Sequence, residues 1–297
     1  MPSDILLSIR GLKTHFSTPA GIVSAVDGVS FDVAKGETLG LVGESGSGKT
    51  VTALSVMQLY AKPQGRSVAG QILFECQDIA AMGERDMYRI RGNSISMIFQ
   101  EPMTSLNPVY TIGKQIVEAI RAHRPIDKKE AWAIALESLK QVGIPDPERR
   151  LKSYPHELSG GMRQRAMIAM AISCKPTLLI ADEPTTALDV TIQAQILQLI
   201  RELKDTMGMS VLMITHDLGV IAEVADKVAV MYGGRIAEYA ETTSLFARPM
   251  HPYTRGLMDS IPDIEKESAQ LYSIPGTVPS LIGEIKGCRF ANRCSRA

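Results

Sequence analysis

The run Gly43-Glu44-Ser45-Gly46-Ser47-Gly48-Lys49-Thr50 has the composition of a loop that holds a polyphosphate. It fits G-x-x-x-x-G-K-[ST]. Glycines let backbone N–H groups approach anionic oxygens, and a helix starting at the loop adds a favourable dipole. In that chemistry Lys49 reaches the β- and γ-phosphates and the Thr50 hydroxyl ligates Mg²⁺. A second set lies at the end of the apolar run Leu178-Leu179-Ile180-Ala181, where Asp182 and Glu183 stand side by side. Two adjacent carboxylates next to an apolar strand are awkward without a cation. Asp182 suits a hard metal ion, and Glu183 suits the orientation or deprotonation of an attacking water. A third set is Ser159-Gly160-Gly161, at the expected start of a helix. Serine is a favoured N-cap, but two consecutive glycines cost helix stability, and a helix end with bare donors for a γ-phosphate explains both. Each set has a plainer reading: a Gly-rich turn, a solvated acidic turn and an ordinary cap. Their joint occurrence, with the right flanking elements, favours the chemical one.

These residues need a scaffold, and the pattern supplies one. Residues 5 to 33 read as strands, and Thr38 to Val42 as a short strand buried on both faces. Thr50 to Leu59 reads as a helix, which completes the strand–loop–helix context that a phosphate loop requires. Residues 71 to 79 and 94 to 99 read as further strands. From Ile112 to Val142 the periodicity is helical throughout. Then come a helix from Arg163 to Ser173, a buried strand from Thr177 to Ala181, a helix from Val190 to Lys204, a strand from Ser210 to Thr215, a helix from Leu218 to Ala225 and a strand from Lys227 to Tyr232. Strands alternating with helices predict a mostly parallel sheet covered on both faces. Prolines 249, 252, 262, 275 and 279 punctuate a tail with weak periodicity. The expected division is a phosphate-binding core at 1–103 and 159–240, a helical insertion at 104–158 and a loop-rich appendage at 241–297.

The phosphate loop together with the Leu158-Ser159-Gly160-Gly161-Met162-Arg163-Gln164-Arg165 segment resembles the ATP-binding cassette family, the ATPase subunits of transporters. The resemblance covers nearly the whole chain. It implies a RecA-like P-loop α/β core with an N-terminal antiparallel β subdomain and an inserted helical subdomain. It also implies that ATP is closed between the phosphate loop of one subunit and the Ser-Gly-Gly segment of another. By the same likeness Gln100 resembles the Q-loop glutamine that senses Mg²⁺ and water. Ala187-Leu188-Asp189 resembles the D-loop, with Asp189 near the nucleotide, and His216 resembles the switch histidine that contacts γ-phosphate. Phe16, in the first hairpin, is the candidate for stacking on adenine, although the family's usual tyrosine is absent there. The segments Glu101-Pro102-Met103-Thr104-Ser105-Leu106-Asn107-Pro108 and His251-Pro252-Tyr253-Thr254-Arg255-Gly256-Leu257 look most like the di- and oligopeptide and nickel importer ATPases. That likeness implies a related second ATPase subunit, two integral-membrane permease subunits and, indirectly, an extracytoplasmic solute-binding protein.

Composition narrows the class further. Lys plus Arg (32) balances Asp plus Glu (32), which counts against a nucleic-acid substrate. No apolar run approaches the ~18 residues that cross a bilayer, and Met1-Pro2-Ser3-Asp4 does not read as a signal peptide. The expectation is a peripheral subunit on the cytoplasmic face of the membrane. Cys76 and Cys174 read as small core residues. Cys288 and Cys294 lie in a tail of a kind that can carry an iron–sulfur centre, but two cysteines fall short of the usual four thiolates. Two rivals remain at this level. A soluble cassette ATPase acting on ribosomes or DNA usually has two cassettes or a coiled coil. A small-molecule P-loop kinase leaves Ser159-Gly160-Gly161 unexplained.

Overall fold

The structure, a computed structural model, describes residues 4–60, 65–186, 188–260, 273–283 and 285–297. Ala187, Pro262 and the first three residues lie outside that set. The chain forms two compact units, one of residues 1–82 with 212–297 and one of residues 83–211.

The first unit opens with two 14-residue strands, β1 (Ile5–Thr18) and β2 (Gly21–Ala34), paired antiparallel. The buried side chains Val26, Val29, Phe31 and Val33 lie along β2, and Gly11 and Gly28 take positive φ where the register shifts. The next strand, β3 (Thr38–Val42), is buried at all five positions, as its apolar run requires. It leads into the helix α1 (Lys49–Val56). Strands β4 (Gly65–Phe74) and β5 (Gln77–Asp78) complete an antiparallel sheet in the order β2-β1-β4-β5.

The second unit contains α2 (Glu84–Ile90), β6 (Ile95–Ile98) and the one-turn α3 (Pro102–Ser105), then α4 (Ile112–His123), α5 (Lys128–Gln141) and the short α6 (Pro147–Arg150). It ends with α7 (Gly160–Ile172), β7 (Leu178–Asp182) and α8 (Val190–Met207). Strands β6 and β7 run parallel and are fully buried. Ile112, Ile116, Val117 and Ile120 form the buried face of α4. The chain then returns to the first unit within β8 (Ser210–Thr215) and continues with α9 (Leu218–Val224), β9 (Lys227–Tyr232) and β10 (Arg235–Glu241), followed by α10 (Thr242–Ala247) and α11 (Pro252–Asp259). Strand β9 pairs parallel with β3 and antiparallel with β10.

The differences from the sequence reading have local causes. The helical stretch expected from Ile112 to Val142 is divided into two helices. Pro125 lacks an N–H and disfavours helical φ/ψ at Arg124, and Asp127 then caps α5 by accepting from Glu130 N at 2.8 Å. The strand read at 71 to 79 breaks at a turn where Glu75 and Cys76 take left-handed φ. Cys76, expected in the core, is therefore exposed, whereas Cys174 is buried and its thiol is pushed up by burial. The helix α2 carried no signal used above. The tail holds more regular structure than its prolines suggested, because Pro252 occupies the first turn of α11, where a missing N–H costs nothing.

One ion-pair knot ties the N-terminal sheet of the first unit to its late segments. Asp27 on β2 receives Lys13 at 3.3 Å, Arg235 at 2.7 Å and Arg289 at 2.7 Å. Burial alone would raise its carboxyl, but hydrogen bonds from Arg235 and Lys13 and the charges of Arg235 and Arg289 outweigh that and hold it below the usual range. A depressed carboxyl stabilises the fold above the unfolded value of about 3.9, and the contribution disappears as pH falls through the lower folded value. The melting temperature of wild type should therefore exceed that of Asp27→Asn at pH 6, and the gap should narrow as pH falls below about 4. A gap that does not depend on pH would rule out this charge linkage.

Candidate functional site

In the first unit, β3 delivers the chain to the loop Gly43–Thr50. Glycine is required at Gly43 and Gly48 for space as well as conformation. A Cβ on Gly43 would lie 2.1 Å from the Met231 carbonyl oxygen, and one on Gly48 would lie 2.4 Å from the Ala25 carbonyl oxygen, with φ at +103°. The loop is thus wedged between the backbones of β2 and β9. Gly234 N donates to Ser47 O at 2.8 Å and holds it from a further side. Gly48 is the N-cap of α1, and no side chain caps that helix, so the arrangement suits an external anion. The Ser47 hydroxyl is buried without a protein hydrogen-bond partner. Ser45, Gly46 and Thr50 are exposed, and Lys49 is 5% exposed. The Lys49 ammonium donates to Gly43 O at 2.6 Å and Glu44 O at 3.0 Å.

Glu44, the second residue of the loop, has specific surroundings. Its backbone N–H donates to the Tyr253 phenol oxygen at 2.8 Å, and its carboxylate accepts from both terminal nitrogens of Arg293, at 2.6 and 3.0 Å. Tyr253 belongs to the importer-like tail segment and Arg293 to no quoted motif, and nothing local marks a contact across 209 or 249 residues. Phe16 lies on β1 opposite Val23 and Gly65, half-buried, and a Cβ on Gly65 would come within 2.5 Å of its ring. His216 follows β8 and is exposed; Asp217 behind it caps α9 by accepting from Gly219 N at 2.7 Å.

In the second unit, Asp182 ends β7 and is 2% exposed. Glu183 takes left-handed backbone, φ +47°, a conformation that costs a residue with a Cβ of order 1 kcal/mol. Its carboxylate accepts from Gln100 Nε2 at 3.0 Å and from the Thr186 hydroxyl at 2.8 Å. The structure therefore brings Gln100 and Glu183 together, although 83 residues separate them. Ser159 caps α7 by accepting from Met162 N at 3.4 Å, with Ser159 and Gly160 exposed. A Cβ on Gly161 would lie 3.0 Å from Ile192 of α8, so packing also favours glycine there. Asp189 caps α8 by accepting from Ile192 N at 2.9 Å. Gln164, given no role of its own in the quoted segment, is 2% exposed and donates to Pro184 O at 2.6 Å, joining α7 to the turn after the two carboxylates. Its signal was a polar residue on the otherwise apolar face of α7.

Comparison with known proteins adds to this geometry. Residues 26–186 match the family model described as ABC transporter, and residues 237–297 match one described as oligopeptide/dipeptide transporter, C-terminal region. The chain is 57% identical to a probable peptide ABC transporter ATP-binding protein of Sinorhizobium fredii, over 98% of this chain and 88% of that protein. It is 54% identical to the oligopeptide transport ATP-binding protein AppD of Bacillus subtilis (98% and 89%) and 49% identical to OppD of Salmonella typhimurium (100% and 88%). Among solved structures, a dimeric bacterial ABC transporter cassette superposes with a TM-score of 0.71 at 25% identity, over 80% of this chain and 98% of that one. The cassette cbiO1 of Clostridium perfringens gives 0.70 at 24%, over 82% and 92%, which supports the fold.

The wedged loop makes a direct prediction. Gly48→Ala should destabilise the fold by roughly 1–3 kcal/mol, because the new methyl meets backbone rather than a movable side chain. A melting temperature equal to wild type would show that the loop can yield.

Proposed function

Because the chain belongs to the ABC transporter ATP-binding family, we propose that it is the ATP-hydrolysing subunit of an importer for di- or oligopeptides. The observation that carries this is identity of 49–57% over nearly the full length to peptide and oligopeptide transport ATP-binding proteins, joined to the matched tail at 237–297. A nickel or other small-solute importer is the alternative within the subfamily.

In this reading the backbone N–H groups of Gly43–Thr50 and the Lys49 ammonium hold the β- and γ-phosphates of ATP. Thr50, Gln100 and Asp182 are oxygen donors, the set that Mg²⁺ prefers, and would hold it; bound there, the ion neutralises charge on the phosphates. Glu183 takes the role of orienting the attacking water and accepting its proton. Its hydrogen bonds to Gln100 and Thr186 support that role by holding the carboxylate in one orientation. His216 contacts the γ-phosphate, Phe16 stacks on adenine, and Ser159, Gly160, Gly161 and Asp189 face the nucleotide of a second ATPase subunit.

The proposed division keeps 1–103 and 159–240 as nucleotide core, 104–158 as the helical part that passes motion onward, and 241–297 as an appendage. No helix among the described residues is long and apolar enough to cross a membrane. Attachment to the membrane is assigned to two permease subunits, with solute reaching them from an external binding protein. Met103, Val109 and Tyr110 expose apolar side chains just after Gln100, which favours a protein partner there. Cys288 and Cys294 supply two of the four thiolates that an iron–sulfur centre takes, and no step is assigned to such a centre.

Glu183→Gln should bind ATP as wild type does and lose hydrolysis by at least ~100-fold, the scale of a general base. Measured on the subunit co-purified with its permease from detergent-solubilised membranes, hydrolysis at the normal rate would sink the assignment. Recovery with ribosomes instead of integral-membrane chains would sink the transport reading.

A further inference from the structure

We propose that Arg293 and Tyr253 are positioning residues for the phosphate loop, so that the C-terminal segment sets the affinity for nucleotide. The inference rests on the ATP-binding reading above and goes beyond it by assigning this role to the tail.

Glu44 is the second residue of the loop. It is held at both its backbone and its side chain by residues from beyond position 250. Tyr253 is fully buried, and its hydroxyl takes up the Glu44 N–H. The Arg293 side chain is 5% exposed and meets the carboxylate with two parallel hydrogen bonds, the strongest geometry such a pair has. Arg293 is itself fixed. It donates from Nε to Pro275 O at 3.0 Å and from Nη2 to Ile274 O at 3.1 Å, and its guanidinium lies 5.8 Å from the centroid of the Tyr232 ring. Tyr232 packs on Tyr253 at 4.5 Å and on Phe290 at 5.2 Å between ring centroids. The clamp therefore joins an aromatic cluster to a buried cation aimed at one loop residue. The clamp also reaches the reacting end of the loop, because the Glu44 carbonyl accepts from the Lys49 ammonium at 3.0 Å.

Two consequences follow. An unclamped Glu44 can turn, and the carbonyl that anchors Lys49 turns with it. An unpaired Glu44 also places a negative charge in a loop that must accept a triphosphate, and like charges at such range repel. Arg293 removes that charge by pairing with it.

The test is ATP affinity of the full chain, measured by calorimetry with Mg²⁺ and a non-hydrolysable analogue. Arg293→Met should weaken binding about tenfold or more, the scale of losing a charge-assisted hydrogen bond. Adding Glu44→Gln to Arg293→Met should restore most of the affinity, because it removes the unpaired charge, and Arg293→Lys should be intermediate. Tyr253→Phe, which deletes one oxygen, serves where Arg293→Met does not fold; it should weaken binding by a few-fold, since it leaves the Glu44 N–H unsatisfied. A merely structural clamp would lower the melting temperature without giving the rescue. Wild-type affinity in Arg293→Met or Tyr253→Phe, or no recovery in the double variant, overturns the proposal while leaving the ATPase reading intact. Failure of wild type to bind the analogue overturns both.

Discussion

A lysine ammonium held inside a glycine loop is the constraint on which the first unit is built. Lys49 is 5% exposed, and a buried cation costs far more than a protein can supply unless polar groups converge on it. The loop provides them by turning the carbonyls of Gly43 and Glu44 inward, and it can do so because Gly43 and Gly48 press directly on the backbones of β9 and β2. The fully buried β3 and the parallel pairing of β3 with β9 are what place those backbones within reach. The Gly-rich pattern is therefore an electrostatic requirement met through steric means.

The same logic explains the large investment in the tail of this unit. Asp27 gathers Lys13, Arg235 and Arg289, and Arg289 also donates to the Gly233 carbonyl. Gly234, next in the chain, donates to Ser47 of the loop. Arg293 and Tyr253 then take hold of Glu44. Cations from the C-terminal segment thus meet carboxylates on β2 and in the loop, each pairing partly buried and each satisfying a charge that would be costly alone. Residues 237–297 match the oligopeptide/dipeptide transporter C-terminal model, and in this chain they supply Arg293 and Tyr253 to the loop.

In the second unit a strained residue plays the corresponding part. Glu183 holds left-handed backbone at the end of a buried strand, which only over-determined surroundings maintain. Gln100 and Thr186 bind its carboxylate, and Gln164 ties the following turn to α7. Strain placed on the residue proposed to handle the attacking water fits a side chain that must point one way before substrate arrives.

Much of this protein was legible from local patterns. The all-apolar Thr38 to Val42, the glycine spacing after it and the apolar run ending in Asp182 are short-range requirements of buried strands and close backbone approach, and each was found where the pattern put it. The break at Pro125 could have been read from the missing N–H alone, whereas the exposure of Cys76 depended on a turn that no periodicity announces. By itself the sequence determined the strand–loop–helix unit, the carboxylate pair and the serine cap, because each follows from the conformational needs of adjacent residues. Only the tertiary structure decided that Gln100 meets Glu183 and that Arg293 and Tyr253 close on Glu44. Those contacts span 83 to 249 residues, and hydrogen-bond geometry over such separations is set by how sheets and helices pack, not by anything the neighbouring side chains encode.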